Sequence, residues 1–161
     1  MDRYERTYSK RYEETKELSH KELAKLIRKE ARAYMKQYNQ KYKISVKLSD
    51  YDVINVEIQL TEKENPYSKG YTNSIIANDD DYLRNSRLHR RYNNEITKII
   101  RDLENIRNAF NHNASDSYTD YFDVRYCGNT NFNAREMYSD IKENPEEFKY
   151  TEEEEKNYVC G

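Results

Sequence analysis

The aspartate run Asp79-Asp80-Asp81 is a group of residues in this chain whose type and spacing could do chemistry. Adjacent carboxylates can hold a hard cation, which needs several oxygen ligands around it. The loop-type calcium site, however, also needs a glycine at its sharp turn and a closing glutamate. Neither accompanies this run, so it reads as a solvated turn. Cys127 and Cys160, with His20, His89 and His112, share no zinc-ligand spacing. Two cysteines so far apart suggest reduced thiols rather than a disulfide framework. Gly70, Gly128 and Gly161 are the only glycines, too few and too scattered for a phosphate-cradling loop. His89 lies among Arg84, Arg87, Arg90 and Arg91. No nucleophile stands beside it, and it reads as a surface histidine. Asp116, Asp120 and Asp123 read as turn formers and partners for arginines. The expectation is a protein with no catalytic residue, no metal site and no cofactor, hence not an enzyme.

Charge carries more information. The net charge is −2, yet residues 1–47 hold 14 Lys/Arg against 7 Asp/Glu, and residues 48–161 hold 14 against 23. Lys21, Lys25, Arg28, Lys29, Arg32 and Lys36 fall on one arc of about 100° of a helix, opposite its apolar face. Arg87, Arg90, Arg91, Lys98 and Arg101 lie off the apolar arc of a second helix. If both helices cover one sheet face, the two arcs make a composite basic surface for phosphates or an acidic protein groove. Charge runs are most often plain solvated faces. Here two separate elements carry the same sign. An opposite reading uses the acidic run Glu152, Glu153, Glu154 and Glu155 beside Tyr150 and Tyr158, as a nucleic-acid mimic or a solubilising tail. The candidate partner-binding residues are therefore Lys25, Arg28, Lys29, Arg32, Arg87, Arg90, Arg91 and Glu152 to Glu155.

The elements that position these groups follow from periodicity. Ser19 and Glu22 fit a capping box, and Leu23, Ile27, Ala31, Tyr34 and Tyr38 recur every three or four residues, which predicts a helix from about His20 to Tyr38. Tyr42, Ile44, Val46 and Leu48, then Ile54, Val56, Ile58 and Leu60, alternate with polar residues around Ser49-Asp50-Tyr51-Asp52. That pattern predicts an antiparallel hairpin with one apolar and one wet face. Residues 61–85 read as a long polar connection. Leu88, Tyr92, Ile96, Ile99, Leu103, Ile106 and Phe110 predict one helix from near Ser86 to about Asn111. Phe122, Val124 and Tyr126 predict a third strand closed by Gly128. Asn144-Pro145-Glu146-Glu147 has a helix-start pattern inside an acidic segment, read either as a disordered tail or as a loosely docked helix. Tyr4, Tyr8 and Tyr12 suggest a fraying helix at the start.

With 35% apolar and 36% charged residues, the chain suits a core smaller than its full length. The expected division is a charged arm or helix over 1–18, an α+β core over 19–127 and an acidic extension over 128–161. The core is expected to be a two-layer sandwich in the order helix-strand-strand-helix-strand, with a three-stranded antiparallel sheet and both helices on one face. No stretch is long and apolar enough for a membrane span and no signal peptide is apparent, so a soluble, cytoplasmic protein is expected.

Leu23-Ala24-Lys25-Leu26-Ile27-Arg28-Lys29 resembles the opening helix of the large polyvalent protein-associated domains of phages and conjugative elements. Tyr42-Lys43-Ile44-Ser45-Val46-Lys47 and Val53-Ile54-Asn55-Val56 are similar to that family's strand pair. Ser115-Asp116-Ser117-Tyr118-Thr119-Asp120-Tyr121-Phe122-Asp123-Val124-Arg125-Tyr126 resembles its last strand and lead-in, the most specific of the three. The likeness covers about residues 19–126. It departs at the hairpin turn, which is usually glycine-rich in the family and here is Ser49-Asp50-Tyr51-Asp52. The resemblance implies a fold and a mobile-element setting, with no catalytic residues to carry over. Small proteins of that setting often inhibit host defence nucleases. The function expected on that basis is anti-CRISPR-like: a non-enzymatic phage or mobile-element protein in the cytoplasm of a bacterial host, blocking a defence nuclease such as a CRISPR effector by protein contact. The alternative is a nucleic-acid-binding accessory module that uses the basic helix faces.

Overall fold

The computed structural model describes residues 7–8, 10–113 and 124–150. In chain order the elements are β1 (Thr7–Tyr8), α1 (Lys10–Thr15), α2 (His20–Met35), a 3-10 turn (Lys36–Tyr38), β2 (Tyr42–Ser49), β3 (Val53–Leu60), α3 (Lys69–Ile76), α4 (Asp80–Asn85), α5 (Leu88–Arg91), α6 (Asn94–Asn108), β4 (His112–Asn113), β5 (Thr130–Phe132), α7 (Arg135–Glu143) and α8 (Pro145–Phe148). The fold is α+β, with a three-stranded sheet in the order β2-β3-β5 and a small β1-β4 pair. Two compact units can be distinguished, Met1–Thr61 with Ile100–Asn133, and Glu62–Ile99 with Ala134–Gly161.

In the first unit, α2 starts where its capping box requires. The Ser19 hydroxyl accepts from the Glu22 N–H at 3.2 Å, and the Glu22 carboxylate accepts from the Ser19 N–H at 3.0 Å. Leu23, Ile27, Ala31 and Met35 are buried along one side. The helix stops through the 3-10 turn and the left-handed pair Asn39 and Gln40 (φ 49° and 62°), which turn the chain into β2. The hairpin pairs Ile44 with Ile58, Val46 with Val56 and Leu48 with Ile54. The alternation thus places all six on one face, and α2 packs against β2. Asp50 and Tyr51 make the turn at φ 45° and 68° without a glycine. Tyr51 is 84% exposed and leans on the His20 ring at 5.3 Å.

The third strand corrects two expectations. It is Thr130–Phe132 rather than the Phe122–Tyr126 stretch, and it runs parallel to β3, so the sheet is mixed and not wholly antiparallel. The lead-in begins earlier: Ile54 N–H donates to the Cys127 carbonyl and Val56 N–H to the Asn129 carbonyl, both at 2.9 Å. Gly128 sits between them at φ 131°, where a Cβ would lie 2.0 Å from the Ile54 carbonyl oxygen. Only glycine lets the chain pass this close to β3. Residues 124–126 act as a tie. Arg125 donates through Nη1 to Thr15 Oγ1 and to the Phe110 carbonyl, each at 3.0 Å, and through Nη2 to the Leu18 carbonyl at 3.2 Å. Tyr126 is buried with its hydroxyl donating to the Arg107 carbonyl. The Ser115–Asp123 part of the resemblance motif, the N-terminal Tyr4 and the 151–161 tail lie outside the described residues, apart from the β1 backbone at residues 7–8.

In the second unit the connection over 61–85, expected as a loop, holds two helices. Ser68 Oγ accepts from the Tyr71 N–H at 3.1 Å to cap α3, and Asp79 Oδ1 accepts from the Tyr82 N–H at 3.2 Å to cap α4. The aspartate run is thereby explained: one cap, then two acids in the first turn where the helix dipole favours them. The helix expected from Ser86 is two, because Asn93 Oδ1 caps α6 by accepting from the Ile96 N–H at 2.9 Å. Beyond residue 127, β5 completes the sheet of the first unit, and Met137 and Ile141 of α7 are buried in the second.

The second unit's core is built on tyrosine. The Tyr67 ring stacks on Tyr71 (4.9 Å, 30°) and Tyr92 (5.6 Å, 12°), and meets Tyr138 edge-on at 6.5 Å. Burial holds the Tyr67, Tyr71 and Tyr92 phenols above their ordinary value, and in the first unit it pushes Tyr126 up to about 12. These groups are neutral when folded and ionise near pH 10 when unfolded. Their stabilising contribution is therefore complete below about pH 10 and is lost as pH rises toward the folded values. Tyrosinate absorbance against pH should show exposed phenols ionising first and a late group that ionises together with unfolding. A single unperturbed titration of all 17 tyrosines would contradict the burial.

Candidate functional site

The basic face of α2 is laid out by a four-residue repeat. Lys21, Lys25 and Lys29 stand one turn apart, Arg32 follows three residues on, and Lys36 closes the helix. At 1.5 Å rise per residue, successive lysines are about 6 Å apart along the axis. All five are exposed, and none has a carboxylate partner among the described residues. The acids on the same helix are used elsewhere: Glu22 in the capping box, and Glu30 in a paired contact with Arg11. Among the described residues, the stripe therefore carries charge that no carboxylate answers.

Arg28 behaves differently from its neighbours. It is half-buried, and its Nη2 donates to the Val46 carbonyl of β2 at 2.7 Å. It stands on the edge of the basic arc nearest the sheet. Sequence reasoning grouped it with the outward cations because helical angle alone cannot show which flank lies over a strand.

Arg87, Arg90 and Arg91 belong to the second unit. Arg87 and Arg90 are exposed at the start and last turn of α5. Arg91 is turned inward, with its guanidinium 5.8 Å from the Tyr71 ring and Nη2 donating to the Ser86 carbonyl at 3.3 Å, while its Nε is buried without a partner. It serves the tyrosine core more than the surface. His89 is exposed, as is the Cys127 thiol. Glu152, Glu153, Glu154 and Glu155 lie outside the described residues.

One surface hollow of about 460 Å3 in the second unit is lined by Lys63, Arg135, Glu136, Ser139 and Asp140. Lys63 Nζ meets Asp140 Oδ2 at 2.9 Å. These two opposite charges answer each other on open surface. Among the described residues no three His, Cys, Asp or Glu side chains come together as a metal site, and no helix is long and apolar enough to cross a membrane.

The least legible polar group is at Arg107. This residue is 5% exposed, and its Nε donates to Glu104 Oε2 at 2.8 Å, with Nη2 at 2.5 Å from Oε1. Glu104 Oε2 also accepts from Thr130 Oγ1 at 2.7 Å, joining α6 to β5. Burial alone would raise the Glu104 carboxyl. The Arg107 and Thr130 bonds outweigh it and hold the group below its ordinary value. This network is structural, and it fixes the edge strand that completes the sheet. The only available signal was the spacing of three residues between Glu104 and Arg107, which any exposed helical pair shares.

No family model matches the chain, and no curated protein or solved structure matches it either.

Proposed function

We propose that this chain is a non-enzymatic binding protein of a phage or mobile element, which inhibits a host defence nuclease of the CRISPR-effector kind by protein contact through the basic face of α2. The observation that carries the reading is the run of exposed cations Lys21, Lys25, Lys29, Arg32 and Lys36, without a carboxylate partner among the described residues, on a helix whose other side is locked into the sheet. A rigid element with charge of one sign is suited to an acidic groove, and its charge speeds encounter as well as setting register. The resemblance to domains of phages and conjugative elements supplies the nuclease as the partner class.

The experiment is a cleavage assay. The wild-type chain captures its partner from host lysate, and the purified captured nuclease is then assayed with and without it. Lys25→Glu/Lys29→Glu/Arg32→Glu should keep its circular dichroism and lose inhibition at least tenfold. Undiminished inhibition by this folded variant would remove the α2 face from the function.

The same stripe supports a second reading, a nucleic-acid-binding accessory module. In that case the chain alone binds nucleic acid, with log affinity falling steeply against log salt and the slope shrinking by about one for each phosphate-contacting cation removed. Absence of any nucleic-acid affinity at low salt eliminates this second reading.

A further inference from the structure

We infer that the outer edge of β2 captures an extended acidic segment of the partner protein, which joins the sheet as an additional strand. The inference rests on the contact function proposed above and specifies the element that the partner contributes.

The ladder defines which backbone groups face outward. Thr61 N–H donates to the Lys41 carbonyl at 3.0 Å, so the odd-numbered residues of β2 bond to β3. The even-numbered residues of β3 turn the other way, as Ile54, Val56 and Ile58 bond toward the Cys127–Asn133 segment. Their partners Leu48, Val46 and Ile44 therefore point N–H and C=O away from the sheet, and β2 is the terminal strand. The N–H groups of Ile44, Val46 and Leu48, and the carbonyls of Ile44 and Leu48, have no partner among the described residues. Among the described residues the Val46 carbonyl has only Arg28, a side chain that an incoming backbone N–H can replace.

Such an edge invites pairing, and proteins usually blunt it or use it. Charge identifies the occupant. Lys43 and Lys47 are exposed on the polar face of β2 and have no carboxylate partner among the described residues. On the other side of the edge Arg28 reaches over the strand, with Arg32 one helical turn beyond it. An added strand thus lies between cations from β2 and cations from α2. Opposite Lys43 and Lys47 its side chains are acidic, and opposite Ile44 and Leu48, which are only half-buried, they are apolar. A second copy of this chain fits poorly: edge-to-edge pairing of two β2 strands brings lysines of like charge together on one face.

The test uses a synthetic peptide that alternates glutamate with valine, long enough to span β2. Titration should give saturable binding and new protection of the Ile44, Val46 and Leu48 amides in hydrogen exchange. N-methylation of the peptide's valine amides, which keeps every side chain and its charge, should weaken binding at least tenfold. Lys43→Glu/Lys47→Glu should do the same while the chain keeps its circular dichroism. Equal binding of the N-methylated peptide, equal binding of a glutamate-only peptide, or no binding at all overturns the inference. So does self-association of the chain that protects these amides before peptide is added, because a second copy then holds the edge. The contact function is read separately in the cleavage assay. If inhibition survives Lys43→Glu/Lys47→Glu but not Lys25→Glu/Lys29→Glu/Arg32→Glu, the edge inference falls and the contact function stands.

Discussion

Leu103→Ala should destabilise the protein by about 2–5 kcal/mol, the range for removing a fully buried leucine side chain and leaving its cavity. Leu103 is 0% exposed, as are Ile99 before it and Phe110 after it on the same side of α6 and its exit. Alanine and leucine are both good helix formers, so the loss reports packing rather than helix propensity. Chemical denaturation of both proteins measures it, and the slope with denaturant should stay unchanged while the midpoint falls. A change within about 0.5 kcal/mol, the range of a surface position, would mean that this face of α6 is not core.

Glu104→Ala should cost about 3–5 kcal/mol, because it leaves the Arg107 guanidinium buried without its counter-charge and deprives Thr130 of its acceptor. The lower end is expected, since the Glu104 side chain is 40% exposed and water can approach from that side. The acid limb of stability offers a second readout. The folded Glu104 carboxyl lies below its ordinary value, so its contribution is present above about pH 4.3, the unfolded value. It is lost as pH falls through the folded value. The variant should therefore lose stability at neutral pH and show a shallower decline in acid. A further variant, Glu104→Leu with Arg107→Met, should recover much of the loss, because replacing both charges by apolar groups removes the desolvation penalty along with the attraction. A double variant no more stable than Glu104→Ala alone would show that the ion pair is not the source of the effect.

These two positions bear on function through geometry. Both lie in the first unit, where α2 presents its cations and β2 is the terminal strand of the sheet. Loss of either should loosen the unit without touching Lys25, Lys29, Arg32, Lys43 or Lys47. Binding defects in these variants should track the folded fraction, whereas those of the lysine variants should appear in a fully folded protein.

Local chemistry was sufficient for the elements whose residues answer to their own neighbours in sequence. Ser19 and Glu22 cap α2 through bonds three residues apart, and the face of Leu23, Ile27 and Ala31 repeats at the helical period. The hairpin follows from two strict alternations around a short turn, and its register is held by the need to bury Ile44, Val46, Ile54, Val56 and Ile58 on one side. The cationic face of α2 was legible for the same reason, as it is the complement of the apolar face. Ser68 and Asp79 also carried local cap signals, but the polar composition around them read as a loop. Asn93 similarly divides a hydrophobic period that otherwise runs unbroken from Leu88 to Phe110.

Other features depend on residues far apart in the chain, and only the tertiary structure decided them. Thr130–Phe132 is too short to show a period, and its parallel pairing with β3 depends on Gly128 passing against Ile54, some seventy positions earlier. Val124 and Tyr126 alternate like a strand, yet Arg125 and Tyr126 spend their bonds on Thr15, Leu18, Phe110 and Arg107. Arg107 itself is buried, which a helix pattern assigns to apolar residues, because Glu104 and Thr130 meet its charge from two elements. Arg28 and Arg91 left the exposed set once a strand carbonyl and a tyrosine ring lay within reach. The outer edge of β2 belongs to this group as well: alternation predicts a strand, but only its place at the end of the sheet leaves the outward N–H and C=O groups of Ile44 and Leu48 without a partner among the described residues.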